Sequence, residues 1–217
     1  AIPPFFFDYG LYQLFLSLFP GCELILSGSV RAVNKLAPLI VKERPTIVPM
    51  VPALATAIGR VLEMTNREVD SVRLITNTGG HLPEGAIDLL LRVFPNSVAM
   101  PMYGLTECKR ALFCDRSVYP DAHESCGTAM PGLLVKVLVE EEGVLRQAAS
   151  DETGELYVRG SSVMQGYRGD TSTASARLIE GAYRDDVWLA TGDLMSRDSQ
   201  GLHYFKGRSK TLIKQAG

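Results

Sequence analysis

From residue 11 to residue 104 short apolar segments alternate with amphipathic ones, and this alternation restricts the possible folds more than any other feature of the chain. "LYQLFLSLF" (11–19) is a short helix pattern stopped by Pro20 and Gly21, and "CELILSG" (22–28) is a strand pattern. "VRAVNKLAPLIVKER" (30–44) has apolar residues at helical spacing, followed by the proline-bounded strand pattern "PTIVPMVP" (45–52). Helix, strand, helix and strand patterns then follow over 53–64, 71–80, 82–94 and 96–104. Apolar strands joined by amphipathic crossovers imply a parallel sheet covered on both faces. The prolines within 45–52 and 96–104 place those two strands partly at an edge.

After about residue 126 the pattern changes to short strands and turns punctuated by Gly or Asp: "GLLVKVLVEEEGVL", "GELYVRGSSVMQGY" and "VWLATGDLMSRDSQGLHYFKGR". The expected fold class is therefore α/β, a parallel-strand α/β subdomain followed by a small antiparallel β-barrel-like subdomain. The boundary is expected in "CGTAMPG", giving an α/β subdomain over 1–126 and a β-rich one over 127–206.

The chain's 217 residues, 46% of them hydrophobic, suffice for a buried core. A net charge of -2 leaves no electrostatic footprint for nucleic acid or for an anionic membrane surface. Four cysteines without a C-x-x-C pair, together with only three histidines, indicate neither a zinc site nor a disulfide framework and fit a reducing cytoplasm. The apolar opening lacks a basic leader and is broken by Pro3, Pro4, Asp8, Gly10 and Pro20, so it reads as core sequence rather than a signal peptide or a membrane span. Beginning on Ala in core-like sequence, the chain reads as a piece of something longer.

Ligands of open α/β sheets sit beyond the carboxyl ends of the strands. Two glycine-containing loops fall there, "NTGG" (77–80) and "YGLTECKR" (103–110). The second could be a plain turn, with Gly104 supplying a positive φ and Thr106 or Glu107 capping a following helix. The alternative is a site in which Tyr103 stacks, Thr106 binds an anion and Glu107 holds a cation, and the rest of the chain has to decide for it. Gly79 and Gly80 carry no side chain to keep a flat ring from the backbone.

Four stretches in order resemble the adenylate-forming superfamily, which includes acyl-CoA synthetases, acyl-AMP ligases and the adenylation domains of peptide synthetases. They are "YGLTE" (103–107), "GELYVRGSSVMQGY" (154–167), "TGDL" (191–194) and "GRSKTLIKQAG" (207–217). The resemblance implies activation of a carboxylic acid by ATP to an acyl-adenylate, then transfer to a thiol of CoA or of phosphopantetheine on a carrier protein. It implies adenine stacking by Tyr103 within a nucleotide loop that includes Gly104. Gly79 and Gly80 would line the adenine and acyl pocket, Thr106 would contact the α-phosphate, and Glu107 would bind Mg²⁺. Asp193 would accept hydrogen bonds from the ribose, and Arg208 would reach the ribose or phosphate. Lys210 matches a hinge position, which makes 207–217 the hinge to a further domain, and Lys214 matches a lysine that in some relatives nears the phosphate. These roles suit the chemistry, since charge growing on a phosphate calls for a hydroxyl donor, a metal and a cation.

Two family features have no match: a Ser/Thr/Gly-rich phosphate loop ending in lysine, and the C-terminal domain with its catalytic lysine. "DTSTASAR" (170–177) lacks both glycine and a closing lysine and reads as a helix start capped by Thr171 or Ser172. The expectation is weak turnover by the chain alone. Lys109 and Arg110 are expected to form a solvated pair. His81 either faces the acyl pocket or makes local hydrogen bonds.

Asp8, in "FFFDYGLYQL" (5–14), stands where amino-acid-activating relatives hold the substrate ammonium, which points to an amino acid such as proline. The alternatives are a helix cap at Asp8 with a fatty or aryl substrate, or a non-catalytic nucleotide-binding remnant of the fold. An unrelated doubly wound nucleotide-binding protein would need a G-x-G-x-x-G or Walker loop, and neither occurs.

Overall fold

The computed structural model describes residues 2–27, 33–169, 177–181 and 186–209. These fall into two compact units, Ala1–Met102 with Cys114–Glu124, and Tyr103–Phe113 with Ser125–Gly217.

The first unit carries the helices α1 (Asp8–Leu18), α2 (Val33–Glu43), α3 (Pro52–Met64) and α4 (Glu84–Val93). Its strands β1 (Ile47–Met50), β2 (Leu74–Asn77) and the first part of β3 (Val98–Leu105) pair in parallel in chain order, Val48 opposite Ile75 and Ile75 opposite Ala99. Parallel neighbours require crossovers, which α3 and α4 supply. Gly59 lets these helices approach, because a Cβ there would sit 2.9 Å from Leu89 Cγ. The core between helices and sheet is fully buried at Met50, Ile58, Ile75, Leu90 and Phe94. Such side chains each contribute about 1.5–3 kcal/mol of burial free energy.

The helices and strands of this unit follow the expected alternation, with one exception. Residues 22–27 form no strand. A strand needs a partner ladder, and among the described residues β1 pairs only with β2 and ends its sheet. Pro49 fits that edge.

The second unit is antiparallel. After β4 (Lys109–Phe113) come β5 (Ser125–Ala129), β6 (Leu133–Glu141), β7 (Val144–Gln147), β8 (Gly154–Gly160), β9 (Leu178–Glu180), β10 (Val187–Arg197) and β11 (His203–Arg208). Their spatial order is β4-β5-β11-β10-β8-β6-β7, with β9 paired to β10. Among the described residues the antiparallel sheet is not closed into a barrel: β7, a short return strand with Val144 and Leu145 exposed, ends it. The core of this unit gathers Leu112, Val137, Leu156, Leu189 and Met195, all fully buried.

Candidate nucleotide site

"YGLTECKR" is a tight bend between two strands, and no helix follows it. β3 ends at Leu105 and β4 begins at Lys109, whose φ of 61° closes the turn, and Cys108 N donates to Leu105 O over 3.2 Å. Gly104 is required by packing, because a Cβ there would overlap the Lys109 carbonyl oxygen. Thr106 is exposed at the tip, and Lys109 and Arg110 are half-buried rather than solvated.

"TGD" is a bulge with a defined cause. β10 pairs with β9 over Val187–Leu189 and with β11 from Asp193 onward, so residues 191–192 lie where it exchanges one neighbour for another. Against β8 the register slips between Ala190 and Leu194. Thr191 Oγ1 donates to Leu156 O over 2.8 Å and accepts from Asp193 N at 3.1 Å. Gly192 takes the left-handed φ of 75° and donates its N–H to Glu155 Oε1 over 2.8 Å. This local capping turns Asp193 inward, where its side chain is 2% exposed.

At Asp193 the two motifs meet. The Tyr103 hydroxyl donates to Oδ2 over 2.6 Å. Burial, and then the Asp193 carboxylate, push the Tyr103 phenol well above its ordinary value, so it stays a donor. Arg208 Nε lies 3.0 Å from Oδ1 as an ion pair, yet Oδ1, fully buried, accepts no hydrogen bond. A buried carboxylate oxygen with spare acceptor capacity fits a ligand hydroxyl.

Glu107 faces a second cluster. Its Oε1 accepts from the Tyr167 hydroxyl at 2.5 Å and pairs with Arg177 Nη1. Burial opposes its ionisation, but the Tyr167 hydrogen bond and the Arg177 charge outweigh burial and hold the carboxyl below its usual value. Mg²⁺ is commonly held by one or two carboxylates plus substrate phosphates. As a single carboxylate Glu107 fits that mode in residue type, with Oε1 paired to Arg177, and among the described residues no group of three His, Cys, Asp or Glu offers an all-protein cage. Tyr167 closes the stretch "GELYVRGSSVMQGY" and Arg177 ends "DTSTASAR". Composition carried no signal for either, because their partners are 60 and 70 residues away.

The remaining site residues lie in the first unit. Gly79, with φ 83°, and Gly80 form an exposed turn after β2, against Val51 and Pro52. His81 Nε2 meets Glu124 Oε2 at 2.7 Å, a local partner at the protein surface. Asp8 opens the first turn of α1, with Phe7 at the cap position, so the helix starts earlier than the expected Gly10 or Leu11. Gly10 lets α1 lie against the chain entering it, because a Cβ there would overlap Pro4 O. The neighbouring Tyr9 hydroxyl bonds Thr76 O at 2.9 Å, tying α1 to β2. A cavity of about 480 Å³ in this unit lies among α1, residues 22–27, α2 and β1, and none of residues 77–81 lines it. Lys210, Lys214, Thr171 and Ser172 lie outside the described residues.

A parallel α/β unit, an open antiparallel sheet and a buried aspartate on a strand bulge beside a Thr-Glu turn define the class: the chain belongs to the AMP-binding enzyme family, whose profile matches residues 1–168. It is 30% identical over 189 residues to 4-coumarate--CoA ligase 1 of Glycine max, covering 85% of this chain and 62% of that protein. It is 29% identical to 4-coumarate--CoA ligase 4 of Arabidopsis thaliana, covering 99% of this chain and 37% of that one. Among solved structures it superimposes on O-succinylbenzoate Coenzyme A Synthetase (MenE) from Bacillus subtilis in complex with ATP and magnesium ion. The TM-score is 0.81 at 26% identity, over 100% of this chain and 42% of that one. The complex of VinN with L-aspartate gives a TM-score of 0.79 at 28% identity, over 94% of this chain and 48% of that one. The chain thus spans between 37% and 62% of the length of these four relatives.

Proposed function

We propose that this chain carries the adenylate-binding part of an ATP-dependent carboxylate ligase. In this reading a carboxylic acid attacks the α-phosphate of ATP to give an acyl-adenylate and pyrophosphate, and a thiol of CoA or of a phosphopantetheinylated carrier protein then takes the acyl group. The carrying observation is the buried Asp193 carboxylate, oriented by Tyr103 and left with one oxygen unbonded. A ribose hydroxyl is the donor that this oxygen lacks. Arg208, two-thirds exposed and already beside Asp193, is available to a ribose or phosphate oxygen. Thr106, exposed at its turn, is the hydroxyl donor to the α-phosphate, and Glu107 is the carboxylate that would hold Mg²⁺. When bound, Mg²⁺ offsets charge on the phosphate oxygens. Tyr103 offers its ring to the adenine, and Gly79, Gly80 and His81 keep the pocket roles that the resemblance implies. Lys210 and Lys214 keep the hinge and phosphate roles that the resemblance implies.

For the acid, Asp8 favours an ammonium-bearing substrate, an amino acid such as proline, because a half-buried carboxylate in an apolar segment attracts a cation. The VinN complex with L-aspartate supports this reading. The 4-coumarate ligases favour a second one, an aryl acid.

Calorimetric titration tests both levels. AMP and prolyl-sulfamoyl-adenosine bind the wild-type chain, and Asp193→Ala weakens both at least tenfold. Unchanged affinity in Asp193→Ala would overturn the nucleotide reading. Tighter binding of a coumaroyl-sulfamoyl-adenosine would move the substrate to the aryl class.

A further inference from the structure

Arg177 belongs to none of the family-like motifs, yet every nitrogen of its guanidinium is engaged at the candidate site. Nη1 pairs with Glu107 Oε1 and donates to the Tyr167 hydroxyl over 2.8 Å. Nη2 donates to Thr191 O over 3.0 Å, and Nε to Ala190 O over 3.4 Å. The two carbonyls belong to the bulge that presents Asp193, so one planar fork joins the Thr-Glu turn to the Thr-Gly-Asp bulge. Its fixed geometry suits several acceptors at once, and it keeps its charge at all relevant pH values. The pair is largely withdrawn from water, with Arg177 26% and Glu107 16% exposed, so the charge is weakly screened.

We propose that Arg177 occupies the cation position of Glu107, so that a divalent cation and this guanidinium are competing partners for one carboxylate. A guanidinium bonded to Oε1 repels a doubly charged ion approaching Oε2, and the ion gains the full carboxylate only as the ion pair opens. Arg177 is thereby a positioning residue that sets the threshold cation concentration for loading Glu107. This inference rests on the reading of Glu107 as the metal-binding carboxylate.

The test needs no nucleotide. Mn²⁺ binding to the 217-residue chain is followed by loss of the free-ion paramagnetic resonance signal, with circular dichroism verifying the fold of each variant. Arg177→Gln binds Mn²⁺ at least tenfold more tightly than wild type, and adding Glu107→Gln removes the gain. If Arg177→Gln does not fold, Arg177→Lys keeps the charge but gives up the fork, and it binds about threefold more tightly. Equal affinity in wild type and the folded variant overturns the proposal, as does a gain that survives Glu107→Gln. Failure of AMP to bind would remove the nucleotide reading and leave the Mn²⁺ comparison unaffected.

Discussion

The Tyr103 hydroxyl and Asp193 Oδ2, 90 residues apart in sequence, lie 2.6 Å apart inside the second unit, and the bond orients a carboxylate that is almost wholly withdrawn from solvent. Tyr103→Phe removes the hydrogen bond and leaves both carboxylate oxygens without one. Losing a donor to a buried charged acceptor costs about 1–3 kcal/mol, and the urea midpoint drops accordingly. A midpoint equal to wild type would show that the carboxylate is oriented without the phenol.

Gly104 has no room for a side chain. Its Cβ would overlap the carbonyl oxygen of Lys109, a backbone atom held in the return strand, so the turn itself must move. Gly104→Ala therefore destabilises by about 3 kcal/mol, the upper end for forced overpacking. Chemical denaturation measures the loss, and the neighbouring exposed Thr106→Ala, within about 0.5 kcal/mol of wild type, is the control.

Asp8 separates stability from recognition. In the first turn of α1 it offsets the helix dipole, so Asp8→Ala lowers stability by only about 0.3–1 kcal/mol. On the amino-acid reading the same substitution removes the preference for a prolyl over a coumaroyl adenylate mimic in calorimetry. An intact preference would return Asp8 to a purely helical role.

His203 makes the second unit sensitive to pH. Burial holds its imidazole below the ordinary histidine value, with Arg197 acting in the same sense and the hydrogen bond to Gly127 O against it. The folded state thus stays neutral where the unfolded chain takes up a proton, near pH 6.5. More protons bound by the unfolded state means stability falls as pH falls below that value. Urea midpoints measured at pH 7.5 and 5.5 drop for wild type and drop less for His203→Gln. Glu84 and Glu107, both held below the ordinary carboxylate value, lose their contributions only at lower pH.

The alternation of segments was legible because α2, α3 and α4 each have an apolar face and β1 and β2 are short runs with β-branched residues, and both are local patterns. The strand reading of 22–27 failed because pairing is not local: an apolar run becomes a strand only where a neighbour offers its ladder. The motifs singled out Tyr103, Glu107 and Asp193, and the structure gives each a defined set of partners that the motifs do not name. Nothing in "YGLTE" says that its glutamate meets Arg177, and nothing in "TGD" says that its aspartate is held by a tyrosine.

By itself the amino-acid sequence determined the family, the alternation of helices and strands from α2 to β3, and the positions of the Thr-Glu and Thr-Gly-Asp motifs, because these depend on residue type at short spacing. Only the tertiary structure decided that the antiparallel sheet stays open and that Gly104 excludes a methyl group. It alone decided that one guanidinium ties Glu107 to the bulge at Thr191. Those outcomes depend on which distant strands pair and how closely their backbones approach, and contacts across 60 to 90 residues leave no periodic mark on the chain.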